Sequence, residues 1–589
     1  MYRTHNCGEL RETNAGQSVT IAGWLSNIRD KGPIIFITLR DFYGVTQAVA
    51  TDEKIIKAIR EIKKESTVQI KGKVILRSDP NPNMDTGMIE IEPESVAVLG
   101  RCTENLPFEV ANSTESREDM RLKHRFLDLR NPVNKDKLIL RSKIIFALRQ
   151  KMMARGFYEM QTPILTSSSP EGARDYLVPS RIHPGMFYAL PQAPQQFKQL
   201  LMASGFDRYF QIAPCFRDED ARADRSPGEF YQLDMEMAFA EQDDVFEVME
   251  GVLGEVFDEF STWEVDKAPF VRIKYNDAME TYGTDKPDLR NPLTVTDITH
   301  IFKDTEIKFM ANKTVKAVFA DSADKPRSFF DGITTKVVEA GAAGMSWCKL
   351  DANGELSGSI TKLISPHEKE MLLAAGLKTG GCVCMVASEI SGKDDLLKLR
   401  KLSGVLRTEL GRGLELLEKD VFRFCWIVDF PMFELDEETN TIAFSHNPFS
   451  MPQGGMDALL NMDPLDIYAY QYDIVVNGTE LSSGAVRNHS PEIMVKAFDI
   501  AGYSIDVIES KFPALFNAFK FGAPPHAGIA PGVDRMVMLL AGEPNIREVI
   551  AFPMNKNAQD LLMSAPNYVE ENQLKELRIK LETEKPYPS

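Results

Sequence analysis

The sequence has few cysteines, and it lacks the features of secreted and membrane-spanning chains. Seven cysteines occur in 589 residues and none forms a CxxC pair, which favours a reducing compartment. The longest apolar stretches, such as 421–433, are interrupted by charges, so no run of ~20 apolar residues could span a bilayer. The beginning, MYRTHNCGELRET, has no apolar segment, so we expect no signal peptide and a cytoplasmic location.

Positive charge is scarce in the chain as a whole. The 68 Lys and Arg residues against 86 Asp and Glu leave a net charge of −18, which argues against coating of DNA, and we expect no DNA partner. Residues 117–155 are an exception, with 12 basic and 4 acidic side chains. This stretch is either a docking surface for a polyanion such as RNA or an ordinary solvated helix face.

The first hundred residues predict a small β-barrel. Five β-rich runs with one helix after the third match an OB-fold, which binds oligonucleotides. The runs are 19–25, 34–39, 45–50, 68–75 and 88–98, and the helix is 52–64. Arg29, Phe36 and Gln47 could stack on and hydrogen-bond to splayed bases, although Phe36 could equally belong to the barrel core.

The remainder predicts an α+β architecture with an insertion. Apolar spacing predicts a helix over 138–157, with Gly156 at its C-terminal cap. A change of composition near 288 and the return of strand patterning at Val421 indicate an inserted domain. The predicted divisions are a barrel at 1–110, a linker at 111–137, catalytic parts at 138–287 and 421–558, the insertion at 288–420 and a C-terminal extension at 559–589.

Residues 209–239 carry the densest group of chemically active side chains. The pattern predicts two strands joined by a charged loop, and alternate residues of a strand face opposite sides. We expect Tyr231, Leu233, Met235, Met237 and Phe239 on one side, and Phe230, Gln232, Asp234 and Glu236 on the other. With Arg217 and Glu219 added, the second side suits a phosphate, a purine face and an ammonium group. An exposed, salt-bridged hairpin is the alternative.

Three segments resemble the motifs of class II aminoacyl-tRNA synthetases. FRDED…EFYQLDMEM is similar to motif 2, GIAPGVDRMVMLLAG (528–542) to motif 3, and the predicted helix ending in FYEMQTPIL to motif 1. Four more resemble the bacterial-type aspartyl-tRNA synthetases: SPEGARDYLVP (169–179), LPQAPQQFKQLLM (190–202), FSHNPF (444–449) and ELSSGAVR (480–487). The resemblance implies an OB-fold anticodon domain, an antiparallel-sheet catalytic domain and an inserted α+β domain of the GAD type.

The resemblance implies a two-step ligation of L-aspartate to tRNA-Asp. The amino acid's α-carboxylate attacks the α-phosphate of ATP, giving aspartyl-adenylate and pyrophosphate, and a hydroxyl of the tRNA's terminal adenosine then takes the aspartyl group. Some family members also charge tRNA-Asn. Lys31 occupies a position that differs between the two types and matches neither, so both alternatives stand.

On the ATP side, the resemblance implies two catalytic arginines. Arg217 would contact the α-phosphate and Arg535 the γ-phosphate, with Phe230 stacked on adenine. Arg535 also lies at the beginning of a predicted helix, where an anion is favoured. Mg²⁺ is the implied cofactor, with Asp473 and Glu480 as its ligands, because hard cations prefer oxygen. The other implied ATP-binding residues are Asp218, Glu219, Glu480, Gly532, Val533 and Asp534.

On the aspartate side, the resemblance implies a cationic pocket. Arg487 and Lys198 would pair with the side-chain carboxylate, with His446 nearby, because an amide would leave a fixed guanidinium unpaired. The residues implied for the α-ammonium are Glu171, Gln195 and Asp234. The resemblance also assigns Arg29, Phe36 and Gln47 to the anticodon, and motif 1 implies a homodimer.

Two other interpretations remain open at this point. One is a sister asparaginyl or lysyl enzyme, which lacks the aspartate-type motifs and the insertion. The other is an inactive paralogue that only binds RNA, although Arg217 and Arg535, which such proteins usually lose, are both present. The motif 2 loop, ADRSPGEF, is one residue longer than usual, so no ATP contact is assigned to Ser226.

Overall fold

The computed structural model describes residues 2–168, 173–321, 324–436 and 439–582. The chain divides into two compact units, Met1–Glu109 and Val110–Ser589. Within the described ranges, no helix is both long and apolar enough to cross a bilayer. All seven cysteines lie in these ranges, and each is a free thiol.

The first unit is a closed five-stranded barrel, in which the first three strands in order are followed by the fifth and then the fourth. The barrel interior is filled by alternate apolar side chains of each strand. In the strand Ile35–Arg40 the buried residues are Ile35, Ile37 and Leu39, and the residues between them lie on the outside. The predicted OB-fold is confirmed. The strands are Ser18–Asp30, Ile35–Arg40, Val45–Ala50, Thr67–Leu76 and Ile89–Gly100, with the helix Glu53–Arg60 after the third.

The second unit is built around an eight-stranded sheet whose neighbours are antiparallel except at its two ends. In the strand Gly228–Ala238, Leu233, Met235 and Met237 enter the main core, as alternation predicts. The prediction for Phe239 is wrong, because the strand ends at Ala238 and Phe239 is 74% exposed. The spatial order is Val271–Lys274, Phe424–Pro431, Tyr468–Val476, Thr479–Val486, His526–Ile529, Gly228–Ala238, Arg208–Arg217 and Tyr158–Glu159.

A long helix, Pro132–Ala154, packs on this sheet. It begins at Pro132 rather than at the predicted residue 138, because Asn131 caps it and a proline is favoured in the first turn. Gly156 follows its end with a φ of 81°, as predicted. Its apolar face, including Ile144 and Leu148, is buried within the same chain.

The basic stretch 117–155 is only in part a cationic surface, because Arg117, Lys123 and Lys143 are exposed whereas two other arginines are buried. Arg121 and Arg125 are 7% and 2% exposed. Both contact Asp128, and Arg121 also pairs with Glu548 at 2.8 Å. Acidic residues distant in sequence therefore neutralise much of the local excess, which a count along the chain cannot reveal.

The Arg121–Glu548 pair makes stability depend on pH. Burial opposes ionisation of Glu548, but Arg121 and Lys137 outweigh it and hold the pKa of Glu548 below its ordinary value. The stabilisation is therefore present above the ordinary glutamate pKa and is lost as pH falls through the lowered value. We expect Glu548→Gln to lower the denaturation midpoint at neutral pH, and the difference from the unmodified protein to shrink in acid. A pH-independent difference would contradict this.

A second, separate sheet belongs to the region predicted as an insertion. Its five strands are antiparallel and two clusters of buried apolar side chains cover it. The boundaries at 288 and 420 stay predictions. In spatial order the strands are Val295–Asp297, Thr314–Ala320, Cys382–Ser388, Ser346–Leu350 and Leu356–Gly358, and the associated helices are Arg327–Glu339, Pro366–Ala375 and Lys393–Gly413.

The remaining helices surround the eight-stranded sheet or extend the chain beyond it. Their bounds are Glu118–Lys123, Arg125–Asp128, Gln195–Ala203, Gln242–Phe260, Tyr275–Thr281, Gly455–Asn461, Pro491–Ile500, Ile505–Lys511, Pro513–Phe519, Val533–Leu540 and Glu571–Leu577.

Candidate active site

A cavity of about 1090 Å³ opens on one face of the eight-stranded sheet. Its walls come from the strands Gly228–Ala238 and Thr479–Val486, the helix Gln195–Ala203 and the loop that precedes the helix Val533–Leu540. The sheet side that faces it is the one predicted from alternation, because Phe230, Gln232 and Asp234 all line the cavity. These elements are distant in sequence, so only the sheet brings them together.

Four ionisable side chains form a buried cluster beside the cavity. Nζ of Lys198 lies 2.6 Å from Oδ1 of Asp234 and 3.4 Å from Oε2 of Glu236. Arg487 donates from Nε and Nη2 to the two oxygens of Glu236, at 2.9 and 3.2 Å. All four side chains are at most 2% exposed. Two cations balance two carboxylates, as burial demands.

The two carboxylates of this cluster differ in their surroundings. Burial opposes ionisation of Glu236, but Arg487 and Lys198 outweigh it and lower its pKa. Burial raises the pKa of Asp234, with Lys198 opposing and Glu236 adding to the rise. Oδ2 of Asp234 accepts no well-formed hydrogen bond from the described residues, although the Tyr209 hydroxyl interacts with this carboxylate. A buried acceptor with spare capacity suits a ligand's ammonium group.

Glu236 was placed on the correct side of its strand, but the sequence reasoning missed its role. It holds Arg487 from 251 positions away, and no local pattern indicates such a pair. Gly528 leaves space for the Glu236 carboxylate because it has no side chain. A β-carbon at Gly528 would lie 1.9 Å from Oε2 of Glu236. Gly528, the first glycine of the GIAPG segment, is therefore required where the strand passes this carboxylate.

The two arginines of motifs 2 and 3 line the same cavity. Arg217 ends its strand, with Cζ 5.0 Å from the centre of the Phe230 ring. Nε of Arg535 donates to the Asp224 carbonyl at 3.1 Å, and Nη1 donates to the Glu480 carbonyl at 2.6 Å. Neither guanidinium makes a bidentate pair with a carboxylate among the described residues, so both retain donors for an anion.

Asp473 and Glu480 lie on paired strands beside the cavity. Glu480 lines it, whereas Asp473 is 4% exposed and lies behind the lining. Burial, and then Glu480, raise the pKa of Asp473 well above its ordinary value. The sequence reasoning missed Lys286, whose Nζ lies 3.2 Å from Oε2 of Glu480. Burial disfavours its charge, but Glu480 and Asp285 raise its pKa.

The other predicted site residues divide into three groups. Gln195, Glu219, His446 and Gly532 line the cavity, and so does Asp534, although its carboxylate contacts Arg141 and the Tyr231 amide. Asp218 and Val533 do not line the cavity, since Asp218 lies 3.7 Å from Arg174 and Val533 is buried in the main core, and their assignments to ATP stay predictions. Glu171 lies outside the described residues.

The three predicted anticodon residues lie on the outside of the barrel. Arg29 and Phe36 are directly opposite each other on neighbouring strands, and Phe36 is not part of the barrel's core cluster. Gln47 lies on the next strand and donates to Oε2 of Glu90 at 2.7 Å. The alternative in which Phe36 is a core residue is therefore wrong.

Comparison with known families agrees with this architecture. Residues 117–556 match the model of the class II tRNA synthetases of the D, K and N group, and residues 19–99 match that of the OB-fold nucleic-acid-binding domain. The first match spans most of the chain. The chain belongs to the class II tRNA synthetase family.

Individual relatives are more specific. The chain is 54% identical to the aspartate–tRNA ligase of Streptomyces coelicolor, over 100% of this chain and 99% of that protein. It is 53% identical to the aspartate–tRNA(Asp/Asn) ligase of Gluconobacter oxydans, with the same coverage. An aspartyl-tRNA synthetase structure from Entamoeba histolytica shares the fold at 21% identity, with a TM-score of 0.56 and 93% and 90% of the two chains covered.

Proposed function

We propose that this protein activates L-aspartate with ATP and transfers it to tRNA-Asp. The observation that carries this proposal is the buried Lys198–Asp234–Glu236–Arg487 cluster beside the cavity that Arg217 and Arg535 also border. A small zwitterion with an additional carboxylate matches these charges. The identity to aspartate–tRNA ligases over the whole chain supports the same substrate.

Specificity for aspartate then depends on Arg487, whose orientation is fixed by its hydrogen bonds to Glu236. Glu236 accepts one hydrogen bond from Nε and one from Nη2 of this arginine, so the two N–H groups of Nη1 and the second N–H of Nη2 are left to meet the substrate carboxylate. Asp234 has acceptor capacity for the α-ammonium. Asparagine would present an amide nitrogen to a donor in a desolvated site, and such a mismatch strongly disfavours binding.

The reaction itself demands mainly positioning and neutralisation of charge. The aspartate α-carboxylate attacks the α-phosphate, the bond to the bridging oxygen breaks, and pyrophosphate leaves. Arg217 beside Phe230 would hold the α-phosphate near a stacked adenine. Arg535 would hold the terminal phosphate. In the second step the hydroxyl of the tRNA's terminal adenosine attacks the mixed anhydride, and AMP is released.

Mg²⁺ is the cofactor that the donor set fits. Glu480 borders the proposed phosphate region and Asp473 lies behind it on the neighbouring strand, and Mg²⁺ is usually held by one or two carboxylates together with substrate phosphates. The described residues contain no group of three or more His, Cys, Asp or Glu side chains that could hold a metal ion alone. When bound, the ion would supply positive charge to the phosphates.

The proposal is tested by ATP–pyrophosphate exchange with aspartate, asparagine or lysine as the sole amino acid. Exchange with aspartate alone is expected. Exchange with asparagine or lysine would favour a sister enzyme, and no exchange at all would favour a protein that only binds RNA. Charging purified tRNA-Asp and tRNA-Asn in parallel then decides between the two acceptor ranges found among the relatives.

We also propose that the barrel binds the anticodon through Arg29, Phe36 and Gln47. Phe36→Ala should weaken tRNA binding by about 1–3 kcal/mol, the usual contribution of a base stacked on an aromatic ring. Aspartate-dependent pyrophosphate exchange without tRNA should be unchanged. Phe42→Ala, which removes another half-exposed ring of the barrel, is the matched control. Equal losses in the two variants would contradict the assignment.

Three further assignments belong to the same proposal. The protein acts in the cytoplasm, the sheet between 295 and 388 is a GAD-type insertion, and the chain forms a homodimer. Exposed apolar side chains on the long helix, Phe146 at 60% and Met153 at 63%, support the dimer. Sedimentation of the purified protein measures its mass directly.

A further inference from the structure

Lys286 is a basic side chain of the cavity lining to which neither the motifs nor the aspartate pocket assign a role. It lies in an irregular segment between the helix Tyr275–Thr281 and the strand Val295–Asp297. Its Nζ is 3.2 Å from Oε2 of Glu480 and 3.0 Å from Oδ2 of Asp285. Because 38% of the side chain remains exposed, the ammonium can also reach a ligand in the cavity.

The position of Lys286 relative to Arg535 indicates which ligand this is. Arg535 donates from Nη1 to the Glu480 carbonyl at 2.6 Å, and Lys286 contacts the same residue through its carboxylate. Both cations line the cavity. If Arg535 meets the terminal phosphate of ATP, Lys286 lies on the same polyphosphate side.

The contact between Lys286 and Glu480 is also one that a substrate complex would alter. A carboxylate that coordinates Mg²⁺ brings a dication next to the lysine, and like charges repel at short range. Lys286 would keep Asp285 as a partner at 3.0 Å, and the terminal phosphates of a nucleotide would replace Glu480 as its second anion. An ammonium is a common partner for phosphate because it acts as a compact point charge.

The segment that carries Lys286 is anchored by the helix Lys393–Gly413 of the second sheet. Gly404 meets Gly283 so closely that a β-carbon on Gly404 would lie 2.3 Å from the Gly283 carbonyl oxygen. Arg407, which is 1% exposed, donates to the carbonyls of Asp288, Asn291 and Leu293 at 3.0, 2.7 and 2.6 Å. This sheet and its helices therefore help to determine the position of Lys286.

We propose that Lys286 is a further ATP-binding residue, which contacts the β- and γ-phosphates and is positioned by the helix Lys393–Gly413. The inference rests on the proposed function only in that ATP is the substrate of this cavity. It adds a third cation to the two motif arginines, and it gives the inserted region a part in nucleotide binding.

The test compares the binding of ATP with that of AMP by equilibrium titration calorimetry at fixed Mg²⁺. Lys286→Met should raise the Kd for ATP about tenfold or more, as expected for the loss of one charge-assisted hydrogen bond. The Kd for AMP, which lacks the two outer phosphates, should change less than about twofold. Lys286→Arg should restore most of the ATP affinity.

Lys393→Met provides the matched control, because Lys393 lies at the start of the same helix and makes an exposed pair with Asp466. It should leave both Kd values unchanged. Equal losses of ATP and AMP affinity in Lys286→Met, or no loss of either, would overturn the inference. If the unmodified protein binds ATP but does not activate aspartate, the proposed function fails while the ratio of the two Kd values still tests Lys286.

Discussion

Arg487→Leu is expected to reduce aspartate-dependent pyrophosphate exchange roughly a thousandfold or more. The variant removes the cation proposed to meet the substrate carboxylate, and a site built around a polar group strongly disfavours the mismatched complex. It also leaves Glu236 buried with Lys198 as its remaining cation. The measurement is kcat/KM for aspartate at saturating ATP. Near-normal exchange would reject the assignment.

The loss of function must be separated from a loss of stability. An uncompensated buried charge costs about 3–5 kcal/mol, whereas replacing both partners with apolar side chains is often neutral. We therefore expect the double variant Arg487→Leu, Glu236→Leu to be more stable than Arg487→Leu alone and still inactive. Recovery of exchange in the double variant would show that Arg487 acts only by neutralising Glu236.

Arg217→Gln is expected to lower kcat for pyrophosphate exchange by about 10²–10³-fold, the usual effect of removing a donor aimed at developing charge. The fall should appear in kcat more than in the KM for aspartate, because the proposed contact is with the reacting phosphate. Arg217→Lys should recover part of the rate, since lysine retains the charge but loses the planar fork.

The control for this prediction is Arg222→Gln. Arg222 lines the same cavity from the exposed loop between the two strands, so its substitution makes an equal change in net charge. We expect its kcat to stay within a few-fold of the unmodified value. If the two variants lost activity equally, the loss would result from the lower positive electrostatic potential of the cavity and not from a specific contact of Arg217.

The faces of the central hairpin could be predicted from the sequence because alternation is local. Successive side chains of any strand point to opposite sides, so the sequence alone places Asp234 and Leu233 on different faces. The same reasoning placed Phe239 incorrectly, since it cannot locate the residue at which a strand ends. The barrel strands were predicted for the same reason, and their closure followed the OB-fold pattern.

Other features could not be predicted, because their partners are distant in sequence. Counting charges along 117–155 suggested a cationic surface, yet Arg121 is neutralised by Glu548 from 427 positions away. Lys286 follows no periodic pattern, so no local feature indicated that it reaches Glu480. The motif resemblance named Arg487 but not Glu236, which orients it.

The amino-acid order alone determined which side chains share a strand face, where the barrel and the long helix lie, and which family motifs the chain carries, because these depend on backbone geometry and residue type over a few positions. The tertiary structure decided which charges are buried and with what partners. Burial removes the water that would otherwise stabilise each charge, so a buried cation requires a nearby anion. In this chain that anion is often distant in sequence, and only tertiary packing brings the two together.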